Sequence, residues 1–396
     1  MRSLTDLSLR EKKVIVRVDF NVPIDDNFKI IDDRRILAAI PTIKLLIKKG
    51  AKVILMSHLG RPKNGPENNF SLKHLVSHLS DVLNTPVRFS NDCVGNDVQK
   101  MVNNLKIGEV LLLENLRFYS QEKDGDVEFA KQLANLADVY VNDAFGAAHR
   151  AHASTSIIAQ FFPENKFFGL LLKNELDCLK KALSSAKRPF TAIIGGAKIT
   201  GKIDLITALF DKVDNLIVGG GMAYTFAKAI GGNIGKSLVE NKKIPLAKNL
   251  MDEAKNKGVN LILPTDSVNA DNFSNDANLS VSAINNIDSN YIGLDIGPES
   301  IRSFSEIILN SKTILWNGPM GVFEMSNFET GTKEIATAIC AATEKGAFSL
   351  VGGGDSVAAI NQFGLVKKVS YISTGGGAML EYLEGKKLPG IEAILS

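Results

Sequence analysis

The sequence predicts doubly wound α/β sheets in two domains. Three observations support this: recurrent β-branched apolar runs, amphipathic segments between them, and polar or glycine-rich loops where the runs end. The runs are KVIVRVDFN, KVILMSHLG, VLLLENLRF, VYVNDAFG, TAIIGGAK, LIVGGGMA, NLILPTD, TILWNGPMG, SLVGGGD and SYISTGGG. Continuous apolar runs suit parallel strands buried on both faces, and their alternation with helical segments suits crossover connections. In RRILAAIPTIKLLIKKG, Ile36, Ala39, Ile40, Ile43 and Leu46 or Ile47 mark one helical face, and Gly50 closes the helix. FFGLLLKNELDCLKKALSSAKRP reads as a connecting helix, with Leu172, Leu176, Leu179 and Leu183 at near-helical spacing. At 396 residues there is room for two domains of ~100–200 residues each.

Composition excludes several classes. Hydrophobic content of 45% and charged content of 22% fit a globular protein, and a net charge of +3 is too slight to imply nucleic acid. MRSLTDLSLREKK lacks an apolar signal core, and charges interrupt every candidate membrane span, so a cytoplasmic location is expected. Cys93, Cys178 and Cys340 are widely spaced and form no CxxC, which fits a reduced compartment better than disulfides or zinc.

Nine of eleven arginines and all five histidines precede residue 153, whereas 26 of 33 glycines follow it. In the first half, strand ends carry Arg17, Asp19 and Asn21, then His58 and Arg61, then Arg117, then Asp143, His149 and Arg150; Arg35 opens a helix. One arginine alone is explained by a surface carboxylate. Five guanidinia on one sheet edge repel each other unless an anion sits among them, and a small molecule with a phosphate and a carboxylate suits them. His74 and His78 lie four apart, a possible metal spacing, but without a third ligand they read as a partly solvated helix face.

The second half reads as a nucleotide site. GAKITGKI satisfies GxxxxGK but places Ile203 where a hydroxyl belongs, and GGNIGKS is one spacer short, so neither is a Walker loop. Lys198 and Lys202 are still expected on one helical face, addressing phosphates. Glycine-dense loops follow at 219–222, 316–324, 352–356 and 373–378. Asp355 suits a magnesium ligand beside phosphate-binding amides, and Glu324 suits ribose hydroxyls.

RVDFNVP, SHLGRP, LLLENLRF, NDAFGAAHRAHAST, GGAK, VGGGMA, LDIGPES, WNGPMGVFE, VGGGDS and STGGGA together resemble the consecutive motifs of the phosphoglycerate kinase family, in its bacterial-type short form. The resemblance implies reversible phosphoryl transfer from 1,3-bisphosphoglycerate to ADP, giving 3-phosphoglycerate and ATP, with Mg2+. It implies a hinge-bending cytoplasmic monomer of two Rossmann-like lobes, each a parallel sheet with helices on both faces, joined by a helix and hinge. The expected divisions are 1–170 for the triose, 171–188 for the interdomain helix, 189–377 for the nucleotide, and 378–396 returning to the first domain. By motif position, Asp19, Phe20, Asn21, Arg35, His58, Leu59, Gly60, Arg61, Arg117 and Arg150 would hold the triose. Lys202, Gly219, Gly220, Gly293, Asn317, Glu324, Gly353, Gly354, Asp355 and Ser356 would hold the nucleotide, with Asp355 on the metal. Arg35, Lys198, Gly376 and Gly377 would stabilise the transferring group. Ser356 stands where threonine is frequent and keeps the hydroxyl. A nicotinamide dehydrogenase lacks its GxGxxG, a non-catalytic metabolite binder gives Lys198 and Asp355 no purpose, and a nucleic-acid binder lacks interleaved aromatics.

Overall fold

A computed structural model of the chain describes residues 4–63 and 65–396. They divide into two compact units, one running to Asp177 and including Lys387–Ser396, the other spanning Cys178–Lys386.

The first unit holds β1 (Lys13–Val18), β2 (Lys52–Met56), β3 (Val87–Phe89), β4 (Val110–Leu112), β5 (Val139–Asp143) and β6 (Lys166–Phe168). They form one parallel sheet in the order β3-β4-β2-β1-β5-β6. Val14, Val16 and Val18 of β1 point into one core with Ile36 and Ile43, while Ile15 points into the other with Val98, Phe129 and Leu133. Successive strand side chains face opposite ways, so helices cover both faces and the strand reads as unbroken apolar sequence. Each such side chain stabilises the fold by roughly 1.5–3 kcal/mol on burial. Helix Arg34–Lys48 buries the predicted Ile36, Ala39, Ile40 and Ile43, and Leu46 rather than Ile47 completes the face. Gly50 follows with a φ of 74°, which favours glycine.

The connecting helix, Leu170–Leu183, starts in the first unit and ends in the second. Its first turn is fixed by two side chains: Thr42 Oγ1 accepts from Leu170 N at 2.9 Å and Asp143 Oδ1 from Leu172 N at 3.1 Å. Gly169 makes room for this, since a Cβ there would lie 2.1 Å from Asp143 Oδ1. Asp143 was expected beside the arginines; it is buried instead, its carboxylate turned to the helix start.

The second unit holds β7 (Phe190–Ile194), β8 (Asn215–Val218), β9 (Asn233–Ile234), β10 (Asn260–Ile262), β11 (Asp266–Ala270) and β12 (Leu279–Ala283). Then come β13 (Asn286–Ile287), β14 (Ile292–Ile296), β15 (Thr313–Asn317), β16 (Phe348–Val351) and β17 (Tyr371–Ile372). The main sheet is parallel, in the order β10-β8-β7-β15-β16-β17. An antiparallel sheet β12-β11-β14 and the pair β13-β9 lie outside it. Helix Gly376–Leu383 belongs to this unit. It packs on helix Ile203–Leu209, and Lys386 reaches Glu384 at 2.7 Å and Asp204 at 3.2 Å. The return to the first unit therefore starts at Lys387 rather than at 378. There Asn142 Nδ2 donates to Gly390 O at 3.2 Å, and Ile394 enters the core.

Two buried strand-end carboxyls carry a pH signature. Burial pushes Asp143 and Asp295 up to about 7, against hydrogen bonds that pull them down. Between the unfolded value near ~4 and the folded value near 7, the folded state binds more protons. The stability this contributes is fully present below the unfolded value and is lost as pH rises through the folded one. Asp143→Asn keeps an acceptor for Leu172 without the charge. It is expected to gain ~2–4 kcal/mol relative to the parent between pH 5 and pH 8, read from denaturant midpoints. An unchanged difference would reject the buried-charge account.

Candidate active site

In the first unit, the carboxyl ends of β1, β2 and β4 and the loop after β5 bring most of the predicted polar residues together. Asp19 accepts from Arg35 NH1 at 3.1 Å and from Asn21 N at 3.2 Å. Asn21 Oδ1 in turn accepts from Gly60 N at 2.8 Å, and Gly60 O accepts from Arg117 NH1 at 2.6 Å. Gly60 has a φ of 62°, and a Cβ there would lie 2.2 Å from the Phe70 ring, so only glycine fits. Arg34 turns away onto Asp32, leaving Arg35 as the arginine that faces Asp19 and Asn21.

Arg117 is partly buried, and its Nε has no hydrogen-bond partner among the described residues. A buried donor left unpaired costs ~1–3 kcal/mol, which a bound anion would recover. Burial, and then the charge of Arg17, pull its pKa down, while Asp19 and Glu122 push it up. The guanidinia of Arg61 and Arg150 are exposed, and neither pairs with a carboxylate among the described residues.

His58 is buried, and Arg17 NH2 lies 3.0 Å from its Nδ1. Guanidinium nitrogens only donate, so Nδ1 accepts and the proton sits on Nε2. Burial, with the charges of Arg17, Arg117 and Arg35, pushes the His58 pKa well below the usual range, so the imidazole is neutral. Its 4.0 Å approach to Asp19 is therefore no ion pair.

One expectation is corrected here, and two are refined. Arg17 is buried beneath the cup, not in its surface. The side chains of Phe20 and Leu59 pack into the core, so only their backbone can face a ligand. His74 stacks on Phe28 in the turn Leu72–Leu75, while His78 pairs with Asp33 at 3.1 Å from the helix Val76–Leu83. Sequence reasoning missed Asn115, which is buried and holds the loop after β2. Its Nδ2 donates to Leu59 O at 2.7 Å and Phe70 O at 2.9 Å, and its Oδ1 accepts from Arg117 N at 3.0 Å. The abrupt polar pair Glu114–Asn115 after an apolar run was the available signal.

In the second unit, the loops after β7, β8 and β15 pack backbone on backbone. A Cβ on Gly195 would lie 2.0 Å from Pro319 O, one on Gly318 2.2 Å from Gly195 O, and one on Gly220 2.6 Å from Gly196 N. Gly219 is held against Met320 Sδ, and Gly293 against the Tyr224 hydroxyl. The Lys202 ammonium donates to Asn317 Oδ1, and Asn317 Nδ2 to Gly352 O at 2.7 Å. Burial pulls the Lys202 pKa down, while the charges of Asp355 and Glu384 push it up. Gly353 has a φ of 97° and leads into helix Gly354–Gln362, with Asp355 exposed in the first turn. Ser356 is buried, and its hydroxyl accepts from Gly318 N at 2.5 Å, so it secures a neighbouring loop. Glu324 is exposed after β15, and Gly376 and Gly377 open helix Gly376–Leu383.

Lys198 and Lys202 do not share a helical face. Lys202 only caps helix Ile203–Leu209, and Lys198 lies in the preceding turn, exposed. That turn is pinned by Glu240, whose Oε2 accepts from Ile199 N at 2.6 Å and Thr200 N at 3.2 Å.

Comparison with known proteins identifies the family to which these motifs belong. The family model described as phosphoglycerate kinase matches residues 4–386. The phosphoglycerate kinase of Porphyromonas gingivalis is 53% identical over 97% of both chains. Cytosolic phosphoglycerate kinase 3 of Arabidopsis thaliana is 54% identical over 99% of this chain and 97% of its own. The solved phosphoglycerate kinase of Coxiella burnetii superposes with a TM-score of 0.91 at 42% identity, covering 100% of this chain and 98% of that one. No helix among the described residues is long and apolar enough to cross a membrane.

Gly318 has a φ of 101° and abuts the Gly195 backbone, so Gly318→Ala must displace the loop after β7. It is expected to lower unfolding stability by roughly 2 kcal/mol or more. ADP affinity, read by calorimetry, is expected to fall with it. Parental stability and affinity together would contradict the packing account.

Proposed function

The chain belongs to the phosphoglycerate kinase family, and on that premise we propose how its residues divide the work. The reaction is reversible transfer of the acyl phosphate of 1,3-bisphosphoglycerate to ADP, giving 3-phosphoglycerate and ATP in glycolysis. The single observation that carries the triose assignment is the partly buried Arg117 Nε left without a partner among Asp19, Arg35, His58, Arg61 and Arg150. Asn21, Asp19 and the neutral His58, through its Nε2–H, orient the triose acid. Phe20, Leu59 and Gly60 contribute backbone.

The nucleotide lies on the second unit's loops, along Gly219, Gly220, Gly293, Asn317, Glu324 and the segment Gly353–Ser356, with Lys202 toward its phosphates. The dehydrogenase and scaffold alternatives gain no support from the relatives. One exposed carboxylate, Asp355, beside Lys202 would hold a Mg2+ next to the nucleotide phosphates. When bound, Mg2+ neutralises charge on the nucleotide phosphates.

Transfer is direct and in line between a carboxylate oxygen of the triose and the β-phosphate oxygen of ADP. An already ionised acceptor needs no general base, so catalysis is positioning plus charge stabilisation. Arg35 of the first unit and Lys198 of the second neutralise the moving group, helped by the amides of Gly376 and Gly377. Both must reach it at once, so the reacting state follows a hinge-bending closure that expels water. A single chain carries both sets of residues, which supports a monomer, and the cytosolic relatives support a cytoplasmic location.

Arg35→Ala and Lys198→Ala are each expected to cut kcat ~10²–10³-fold while changing the KM values only a few-fold, read in a coupled assay of ATP-dependent 3-phosphoglycerate phosphorylation. Near-normal turnover in either variant sinks that assignment. In the same assay, Asp355→Ala is expected to raise the Mg2+ needed for half-maximal rate about ten-fold or more. An unchanged Mg2+ requirement would remove Asp355 from the metal.

A further inference from the structure

Beneath the triose residues lies a buried polar chain with no part in the transfer itself. Glu122 is 1% exposed and sits in the short helix Ser120–Asp124. Its Oε1 accepts from Ser154 Oγ at 2.6 Å and its Oε2 from Ser154 N at 3.0 Å. Ser154 Oγ accepts in turn from Arg17 Nε at 2.8 Å. A hydroxyl has one proton and Arg17 offers only donors, so the chain runs in one direction, from Arg17 through Ser154 to Glu122. At its other end, Arg17 NH2 reaches His58 Nδ1 at 3.0 Å.

We infer that Glu122 is a positioning residue for the triose site: through the Ser154 hydroxyl it holds Arg17 in the orientation that fixes His58 as its Nε2–H tautomer. This rests on the reading of His58 as a triose ligand. Arg17 forms no direct ion pair among the described residues, and Glu122 is its counter-charge at one hydroxyl's remove. The groups facing Glu122 are Arg17, Ser154, Arg117 and His152, whose Nδ1 lies 3.8 Å from Oε1. Burial pushes the Glu122 pKa up, while Arg17, the Ser154 bonds and Arg117 pull it down. Both oxygens receive a Ser154 donor, the pattern of a carboxylate. The backbone closes the same frame: Glu122 O accepts from Ala153 N at 2.9 Å, and Tyr140 OH donates to Ser154 O at 2.9 Å. In Glu122→Gln one of the two acceptors becomes an N–H donor, so the Ser154 hydroxyl and the Ser154 backbone N–H compete for the single remaining oxygen. Arg17 then keeps its bond to Val18 O but loses the fixed partner at Nε, and Nδ1 of His58 is free to take the proton.

The test is nitrogen NMR of the histidine rings in the full-length protein, combined with kinetics. In the parent, His58 is expected to show a protonated Nε2 and a bare Nδ1. Glu122→Gln is expected to mix the two tautomers and raise the KM for 3-phosphoglycerate on the order of ten-fold, the scale of one charge-assisted hydrogen bond, with kcat and the ATP KM changed less than about three-fold. Ser154→Ala, which removes the bridging hydroxyl and no charge, is expected to give the same signature and serves if Glu122→Gln folds poorly. Variants that lower the unfolding midpoint but leave the His58 resonances and the 3-phosphoglycerate KM in place overturn the inference, since that is a purely structural role. Adding 3-phosphoglycerate to the parent separates the premise. If the His58 Nε2–H resonance does not move, the triose assignment fails while the tautomer result still stands.

Discussion

A strand such as β1 can carry no uncompensated polar side chain, because Val14 and Val16 pack into one core and Ile15 into the other. Burial on both faces drives polar residues to the carboxyl ends of strands, where loops from non-adjacent stretches of sequence meet. The cup around Arg117 forms this way, from residues as far apart in the chain as Asp19 and Arg150. Arg17 is the exception, a cation still within β1 and 1% exposed. The Ser154 hydroxyl, Val18 O and His58 each take one of its nitrogens, and Glu122 supplies the charge. The floor of the first site is thus the compensation that one buried guanidinium demands.

The second unit meets the same constraint with backbone. Gly195, Gly220 and Gly318 lie where any Cβ would strike a neighbouring main chain, so three strand ends come closer than side chains permit. Asn317 and Ser356 then use their side chains to tie adjacent loops, Gly352 O and Gly318 N being the partners. Close loops leave amides as the available donors, which suits phosphates reached along a length of chain. A small triose acid, by contrast, can be reached by long guanidinia from several directions. The separation of arginine from glycine along the sequence is the one-dimensional trace of these two solutions.

The parallel strands were legible because burial on both faces leaves an unbroken apolar signature; all ten predicted runs contain strands. Edge strands β3 and β6 were not, since three residues such as VRF and KFF carry no period. The β12-β11-β14 sheet hid in a serine- and asparagine-rich stretch, and its strand β12, exposed or half-buried throughout, carries no apolar signature. Most of the site could be read as residue types at strand ends, but not what each atom does. Spacing alone placed Lys198 and Lys202 on one helix, whereas Glu240 pins the intervening turn in a non-helical shape. Motif membership included Phe20 and Leu59, whose side chains belong to the core. Glu122 left no signal at all, because a lone glutamate in SQEKDGD looks like solvated surface until the fold buries it.

That burial is hard to explain by stability. Removing an ion such as Glu122 or Arg17 from water costs several kcal/mol even after relaxation, and pairing rarely returns more than the cost. Apolar residues of similar volume would hold β1 and the Ser154 turn together at least as well. What apolar residues cannot do is impose direction on a hydrogen-bond chain. Arg17 has only donors and a carboxylate only acceptors, so a hydroxyl between them has one arrangement, and the far end of the chain is a bare ring nitrogen on His58. The neutral ring then presents its remaining N–H as a donor, beside the cations, the amides and the Asp19 carboxylate of the site. A site for an anion needs its donors fixed before the anion arrives, because reorganising them afterwards would be charged against binding.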